Sequence, residues 1–180
     1  MNNLPFPGHI LITGSSATGK STISKVIKSR GIPCIDADYE GEIAYWEHKV
    51  SGHEEIMPEN PPDEWGATHN WKWKIGKLTL VLEESSQPLV ICGTANNRED
   101  AYGLFDQVLV LTASRKTLNS RLETRENNAF GKLKNEREWA LTENERQVDF
   151  ASRNGLTIID TSSMNADNAT DAILQVSKIK

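Results

Sequence analysis

The sequence predicts a three-layer α/β/α fold, a five-stranded parallel sheet with helices on both faces. Three observations carry this. Five short, continuous apolar runs are spaced along the chain, the pattern of strands buried on both faces of a sheet. Longer segments with helical periodicity lie between them, as crossover connections require. The 180 residues, 37% hydrophobic and 25% charged, suit one domain with a sizeable core.

The elements follow in order. His9–Thr13 is predicted as the first strand, and Ser21–Arg30 as its helix, with Ile23, Val26 and Ile27 on one face. Pro33–Asp36, Leu89–Cys92, Gln107–Leu111 and Leu156–Asp160 are the second to fifth strands. Leu118 and Leu122 mark a helix after the fourth, and Ala172, Ile173 and Val176 mark a C-terminal helix. Two polar stretches break the alternation, Glu40–Asn70 and Glu126–Asn135. Loops of such length in a compact domain usually serve as lids or binding segments. The chain therefore reads as one domain, 1–180, with an insertion over about 39–75 and a lid over about 126–135.

Composition narrows the function. A net charge of -5 gives no basic footprint for nucleic acid. No apolar run approaches the ~20 residues of a membrane span. Met1–His9 lacks a basic start followed by an apolar stretch, so no signal peptide is expected. Cys34 and Cys92, the two cysteines, each sit in an apolar run, which reads as buried free thiols in a reducing cytoplasm.

The strongest motif is Gly14-Ser15-Ser16-Ala17-Thr18-Gly19-Lys20-Ser21, with Thr22 following. It matches the P-loop pattern at every required position, between a predicted strand and a predicted helix. Glycines let backbone wrap a phosphate, and successive N–H groups with the helix N-terminus face the anion. Lys20 is expected at the β- and γ-phosphates of ATP, and the Ser21 hydroxyl on Mg2+. The competing reading is a structural glycine loop.

The P-loop alone does not specify the reaction. No Asn-Lys-x-Asp guanine-reading motif is present, and strand three runs into Gly93-Thr94 with no acidic residue. Asp36-Ala37-Asp38 follows strand two, at the carboxyl end of the sheet where ligands bind. This Asp-x-Asp resembles the shikimate and gluconate kinase pattern. The resemblance implies a magnesium-side role for Asp36 and an acceptor-side base in Asp38. Capping of the next segment is the alternative.

Arg121-Leu122-Glu123-Thr124-Arg125 resembles the arginine pair before the lid of adenylate-kinase-like enzymes. At i and i+4 the two arginines are expected on one helix face. By the resemblance, one lies against adenine and the other on the phosphates, with Arg125 in the catalytic role and Arg121 in ATP binding. The alternative is a solvated helix face. Asn127–Lys132 then reads as the lid, with Lys132 a candidate to close on the phosphates, and Ile159–Ser163, Ser162 in particular, is similar to the adenine-flanking loop. Trp71-Lys72-Trp73, Gly93–Asn97 and Asn128–Lys132 together also look like a group of small bacterial kinase-like AAA-type ATP-binding proteins.

The insertion holds four of the five tryptophans: Trp46, Trp65, Trp71 and Trp73. Their faces suit a base, a sugar or a cation, or they simply hold the insertion together. No arginine occurs from Gly31 to Asn97, whereas Glu40, Glu42, Glu47, Glu54, Glu55, Glu59, Asp63 and Glu64 do. Recognition of an acceptor phosphate favours arginine forks, so a neutral or cationic hydroxyl compound is expected. His48, His53 and His69 match no zinc spacing. The expected function is transfer of the γ-phosphate of ATP to a nucleoside, sugar or amino-alcohol. Two alternatives stay open: a nucleoside monophosphate kinase, and an ATP-binding regulatory module.

Overall fold

The computed structural model describes residues 8–59, 61–62, 64–126 and 130–177. Asp63 and the lid residues Asn127, Asn128 and Ala129 lie outside the described residues.

Element order follows the expected alternation: β1 (Ile10–Gly14), α1 (Lys20–Ser29), β2 (Cys34–Asp36), β3 (Ala44–His48), β4 (Glu54–Glu55), α2 (Trp65–Thr68), β5 (His69–Trp73), α3 (Ile75–Glu83) and β6 (Val90–Cys92). A 3-10 helix (Arg98–Leu104) precedes β7 (Gln107–Thr112), α4 (Arg115–Thr124), α5 (Lys134–Arg153), β8 (Thr157–Asp160) and α6 (Ala166–Val176). The five predicted strands form one parallel sheet in the order β2-β6-β1-β7-β8.

Alternating side chains of these strands build two cores. Ile10, Ile12, Cys34, Cys92, Leu109 and Leu111 pack with Ile23 and Ile27 of α1 and Ile173 of α6. Leu11, Ile91 and Val108 pack on the other face with Leu78 and Leu82 of α3. Cys34 and Cys92 are buried free thiols, with Sγ atoms 3.7 Å apart. Among the described residues no helix is long and apolar enough to cross a membrane.

The insertion departs from the expected irregular loop. It forms a second, antiparallel sheet in the order β4-β3-β5. Trp46 pairs with Trp71 and His48 with His69 across β3 and β5, and such aromatic cross-strand pairs stabilise a sheet without an apolar run. The Trp46 ring lies 4.9 Å from that of Trp71 and 6.2 Å from that of Trp65, which stacks on His69 at 3.6 Å.

The loop after β6 fastens this sheet to the main one. Asn96 Oδ1 accepts from Trp71 N (2.9 Å) and Asn96 N donates to Trp71 O (2.7 Å). Asn97 Oδ1 accepts from Trp73 N, and its amide donates to Trp73 O. The two asparagines thus bond the edge of β5 as a neighbouring strand would. Trp73 is fully buried against Gly93, where an added Cβ would lie 3.0 Å from the indole.

Candidate active site

Three carboxyl ends of the parallel strands meet in one place. β1 delivers the P-loop, β2 delivers Asp36 and Asp38, and β6 delivers Gly93 and Thr94. Ligands of open α/β sheets bind at this end. A cleft of about 440 Å³ opens there.

The P-loop backbone is pre-shaped. Ala17 has φ 67 and Gly19 φ 106, left-handed turns that direct successive N–H groups toward a common point. Gly14 must stay bare, because a Cβ there would meet Leu111 O at 2.5 Å. Neighbouring elements hold the loop from outside. Arg121 Nη1 donates to Ala17 O (3.2 Å) and Thr161 Oγ1 (3.0 Å), while Nη2 donates to Thr161 O (2.8 Å). Ser15 Oγ donates to Ala140 O of α5 at 2.7 Å.

Lys20 Nζ donates to Gly14 O (2.8 Å) and Ser15 O (3.0 Å). The ammonium is deeply buried, and burial pulls its pKa below the ordinary value while Asp38 and Asp36 push it back up. Asp38 is its counterpart. Burial raises the Asp38 carboxyl from 3.8 to about 6, against the opposing pull of Lys20 and the hydrogen bonds of Thr94 and Trp71. Both donors, Thr94 N (3.0 Å) and Trp71 Nε1 (3.3 Å), land on Oδ1. Oδ2 takes neither of these bonds.

Of the sequence-predicted site residues, Ser16, Ala17, Thr18, Gly19, Lys20, Ser21, Thr22, Asp38, Arg121 and Arg125 all line this cleft. Gly14 and Ser15 sit behind it, offering carbonyls to Lys20. Asp36 is buried one layer back, its Oδ1 accepting from Asp38 N at 3.3 Å. Ser162 is turned to the surface, donating to Asp160 Oδ1 (2.5 Å) and accepting from Ser114 N (2.7 Å). Its neighbours Thr161, Met164 and Asn165 line the cleft in its place.

The arginine pair differs from a shared helix face: Arg121 is inside α4, whereas Arg125 is its C-cap in extended conformation. Both residues still line the cleft, and burial lowers the pKa of each. Arg125 donates to Phe130 O through Nε (2.9 Å) and Nη2. Lys132 Nζ is turned away, bonding Glu123 O (2.8 Å) and Arg125 O (2.5 Å).

Magnesium is the metal such a site implies. Among the described residues no cluster of three or more His, Cys, Asp or Glu forms a metal cage. Mg2+ keeps several waters and takes one or two protein ligands beside substrate phosphates. Ser21 and Asp36 would hold it, Asp36 at one remove.

Sequence reasoning missed Tyr39, Thr94, Met164 and Asn165 on this cleft. It also missed a recess lined by Ser15, Ser16, Trp71, Thr94, Asn96, Arg98, Trp139, Glu143 and Gln147. Ser16 and Thr94 belong to both spaces.

Fold and cradle define a P-loop protein of the kinase-type α/β/α architecture. The chain belongs to the AAA domain family, whose profile matches residues 10–147. Among curated proteins none matches significantly. Solved structures of similar fold include a gluconokinase from Sinorhizobium meliloti 1021, with TM-score 0.55 and 17% identity over 96% of this chain and 94% of that one. A shikimate kinase from Bacteroides thetaiotaomicron aligns with TM-score 0.57 and 13% identity over 96% and 99%. A sugar kinase from Janibacter sp. HTCC2649 aligns with TM-score 0.53 and 15% identity over 94% and 93%.

Proposed function

We infer that the protein is an ATP-dependent phosphotransferase that moves the γ-phosphate to a hydroxyl of a small molecule: a nucleoside, a sugar or an amino-alcohol. One observation carries this reading. Asp38 is a partly buried carboxylate beside the P-loop lysine, held by two donors on one oxygen. A hydroxyl acceptor needs such a base, whereas a phosphate acceptor is already anionic and needs cations. The names of the fold neighbours agree with a small-molecule acceptor.

In the proposed step the acceptor's hydroxyl proton passes to Asp38 Oδ2. The acceptor oxygen bonds the γ-phosphorus, and the bond from that phosphorus to the β–γ bridging oxygen breaks, releasing ADP. Lys20 and Arg125 offset the charge on the transferring phosphoryl group. Arg121, fixed to the P-loop and to Thr161, orders the nucleotide side. Magnesium, when bound, neutralises charge on the β- and γ-oxygens. The insertion over 39–75 is assigned to the acceptor and the segment 126–135 to the lid.

Of the four cations nearest in sequence to grip an acceptor phosphate, Lys72, Lys74, Lys77 and Arg98, three are already paired, and Lys77 is exposed on α3. Lys72 Nζ bonds Glu47 (3.1 Å), Lys74 Nζ bonds Glu54 (2.8 Å) and Arg98 Nη2 bonds Glu143 (3.0 Å). This disfavours a nucleoside monophosphate. ADP release is to be followed with nucleosides, sugars, amino sugars and nucleoside monophosphates in turn. At least one hydroxyl compound is expected to accelerate it, and monophosphates are not. Hydrolysis that no metabolite accelerates would instead indicate a regulatory module.

A further inference from the structure

Two sequence motifs, Trp71-Lys72-Trp73 and Gly93–Asn97, meet beside Asp38. In an antiparallel pair, residues alternately turn their N–H and C=O toward the partner strand and away from it. Those of Trp71 turn away from β3 to Asn96, whose Oδ1 accepts from Trp71 N at 2.9 Å and whose N donates to Trp71 O at 2.7 Å. Trp71 Nε1 donates in turn to Asp38 Oδ1 at 3.3 Å. Thr94 N, two residues before Asn96, donates to the same oxygen at 3.0 Å. The contacts close a circuit: from Asp38 to Thr94, along the chain to Asn96, across to Trp71 and back to Asp38.

The circuit has a firm side and a weak one. The loop after β6 is anchored at both ends. Gly93 N donates to Ile12 O of β1 (3.1 Å), while Arg98 Nη1 donates to Ala95 O (3.0 Å) and Nη2 pairs with Glu143 of α5 (3.0 Å). Thr94 is thereby fixed to the main sheet. Trp71 belongs to the second sheet, and its indole bond to Asp38 stands at the outer limit of hydrogen-bond distance, where a small displacement forfeits it. Asn96 sets the spacing between the anchored loop and Trp71. Asn97 grips Trp73 in the same way, accepting from its N (2.8 Å) and donating to its O (3.0 Å). The Trp73 indole N–H, however, has no hydrogen-bond partner. Of the two asparagines, Asn96 is the one whose contacts lead on to the carboxylate.

Resting on the phosphotransferase reading, we propose that Asn96 is a positioning residue: through Trp71 it keeps the indole donor on Asp38 Oδ1 and so orients the carboxylate that takes the acceptor's proton. Held by Thr94 N alone, the carboxylate could swing about a single bond. Two donors from separate elements fix its rotation and present Oδ2 in one direction. A general base acts only within hydrogen-bond reach of its proton, and small misplacements of a reacting group are costly. Asn96 is exposed and is not among the residues that line the cleft, so its effect on the reaction passes through Trp71.

The Trp71 indole N–H resonance, recorded by proton–nitrogen NMR without nucleotide and identified by its loss in Trp71→Phe, reads the contact directly. Asp38→Ala removes the acceptor and marks the unbonded position of that resonance. Asn96→Ala is expected to shift it part of the way in the same direction. Asn96→Asp, which keeps an oxygen for Trp71 N, should return it. Asn97→Ala should leave it in place while losing its own bonds to Trp73. Turnover is measured with ATP and the fastest acceptor from a panel of nucleosides, sugars and amino sugars. It should fall about fivefold in Asn96→Ala, the equivalent of one hydrogen bond, with KM for ATP unchanged and with rescue by Asn96→Asp. In a Trp71→Phe background, Asn96→Ala should lower turnover no further, because the route is already cut. Additive losses, a resonance that Asn96→Ala leaves in place, or one that Asn97→Ala shifts as far, would overturn the assignment and leave the phosphotransferase reading intact. A shifted resonance in a protein that transfers phosphate to none of these compounds would uphold the tie from Asn96 to Asp38 and remove the phosphotransferase reading.

Discussion

Asp38→Asn separates the chemistry of this site from its architecture. The amide keeps an oxygen for Thr94 N and Trp71 Nε1, so packing should persist. What disappears is a carboxylate whose pKa burial raises from 3.8 to about 6. At about 1.36 kcal/mol per tenfold change in proton affinity, that gap is worth roughly 3 kcal/mol. The sign follows from linkage. The folded state holds this proton more tightly than the unfolded chain, so the contribution is full below about pH 4 and is lost as pH rises through about 6. Wild type thus bears the cost of a buried anion at neutral pH, and the Asn variant does not. Lys20 loses one of its two carboxylate neighbours in the variant, so the gain at pH 7–8 should be about 1–3 kcal/mol. In a chain of this size that raises Tm by roughly 2–10 °C. Thermal melts of both proteins from pH 4 to 8 are the assay. The Tm difference should open between about pH 4 and 7, while turnover falls roughly 10²–10⁴-fold. A Tm difference that does not change with pH, or unchanged turnover, would refute the reasoning.

Three further perturbations test the surrounding parts. Trp71→Phe removes a hydrogen bond that lowers the Asp38 pKa, so the acidic limb of the pH–rate profile should move to higher pH, and an unmoved limb would deny Trp71 this role. Gly93→Ala places a Cβ 3.0 Å from both Asp38 Oδ1 and the buried Trp73 ring, which should cost about 1–3 kcal/mol in denaturant titrations and lower turnover. Arg121→Ala should chiefly weaken ATP binding and Arg125→Ala chiefly lower turnover, since only Arg121 is tied to the P-loop backbone; equal effects on both constants would contradict that division.

Much of this arrangement was legible in the chain, for physical reasons that differ by segment. The parallel strands are buried on both faces, so each is written as a continuous apolar run, and the P-loop residues are dictated by the phosphate they must wrap. β3 and β5 were not legible. Their stability lies in pairs such as Trp46 with Trp71 and His48 with His69, which emerge only when the strands meet. α5 hid its buried face in another way. Its buried stripe, Ala140, Asn144, Gln147 and Ala151, has helical spacing but is half polar, so hydrophobic periodicity passes over it. For that reason Glu143, Gln147 and Trp139 were not anticipated beside the P-loop. Arg98 sat one residue beyond an arginine-free stretch, and nothing local announced its pairing with Glu143 across 45 positions of sequence.

Transfer itself is the central claim, and the product shows it most directly. The protein is incubated with magnesium, ATP bearing an isotopically labelled γ-phosphate, and a mixture of nucleosides, sugars, amino-alcohols and nucleoside monophosphates. Mass spectrometry then identifies any labelled phosphoester. The account predicts label on the hydroxyl of a compound that carried no phosphate, formed by wild type and not by Lys20→Ala, since Lys20 stabilises the transferring group. Label appearing only on a nucleoside monophosphate, or only as inorganic phosphate, would contradict it.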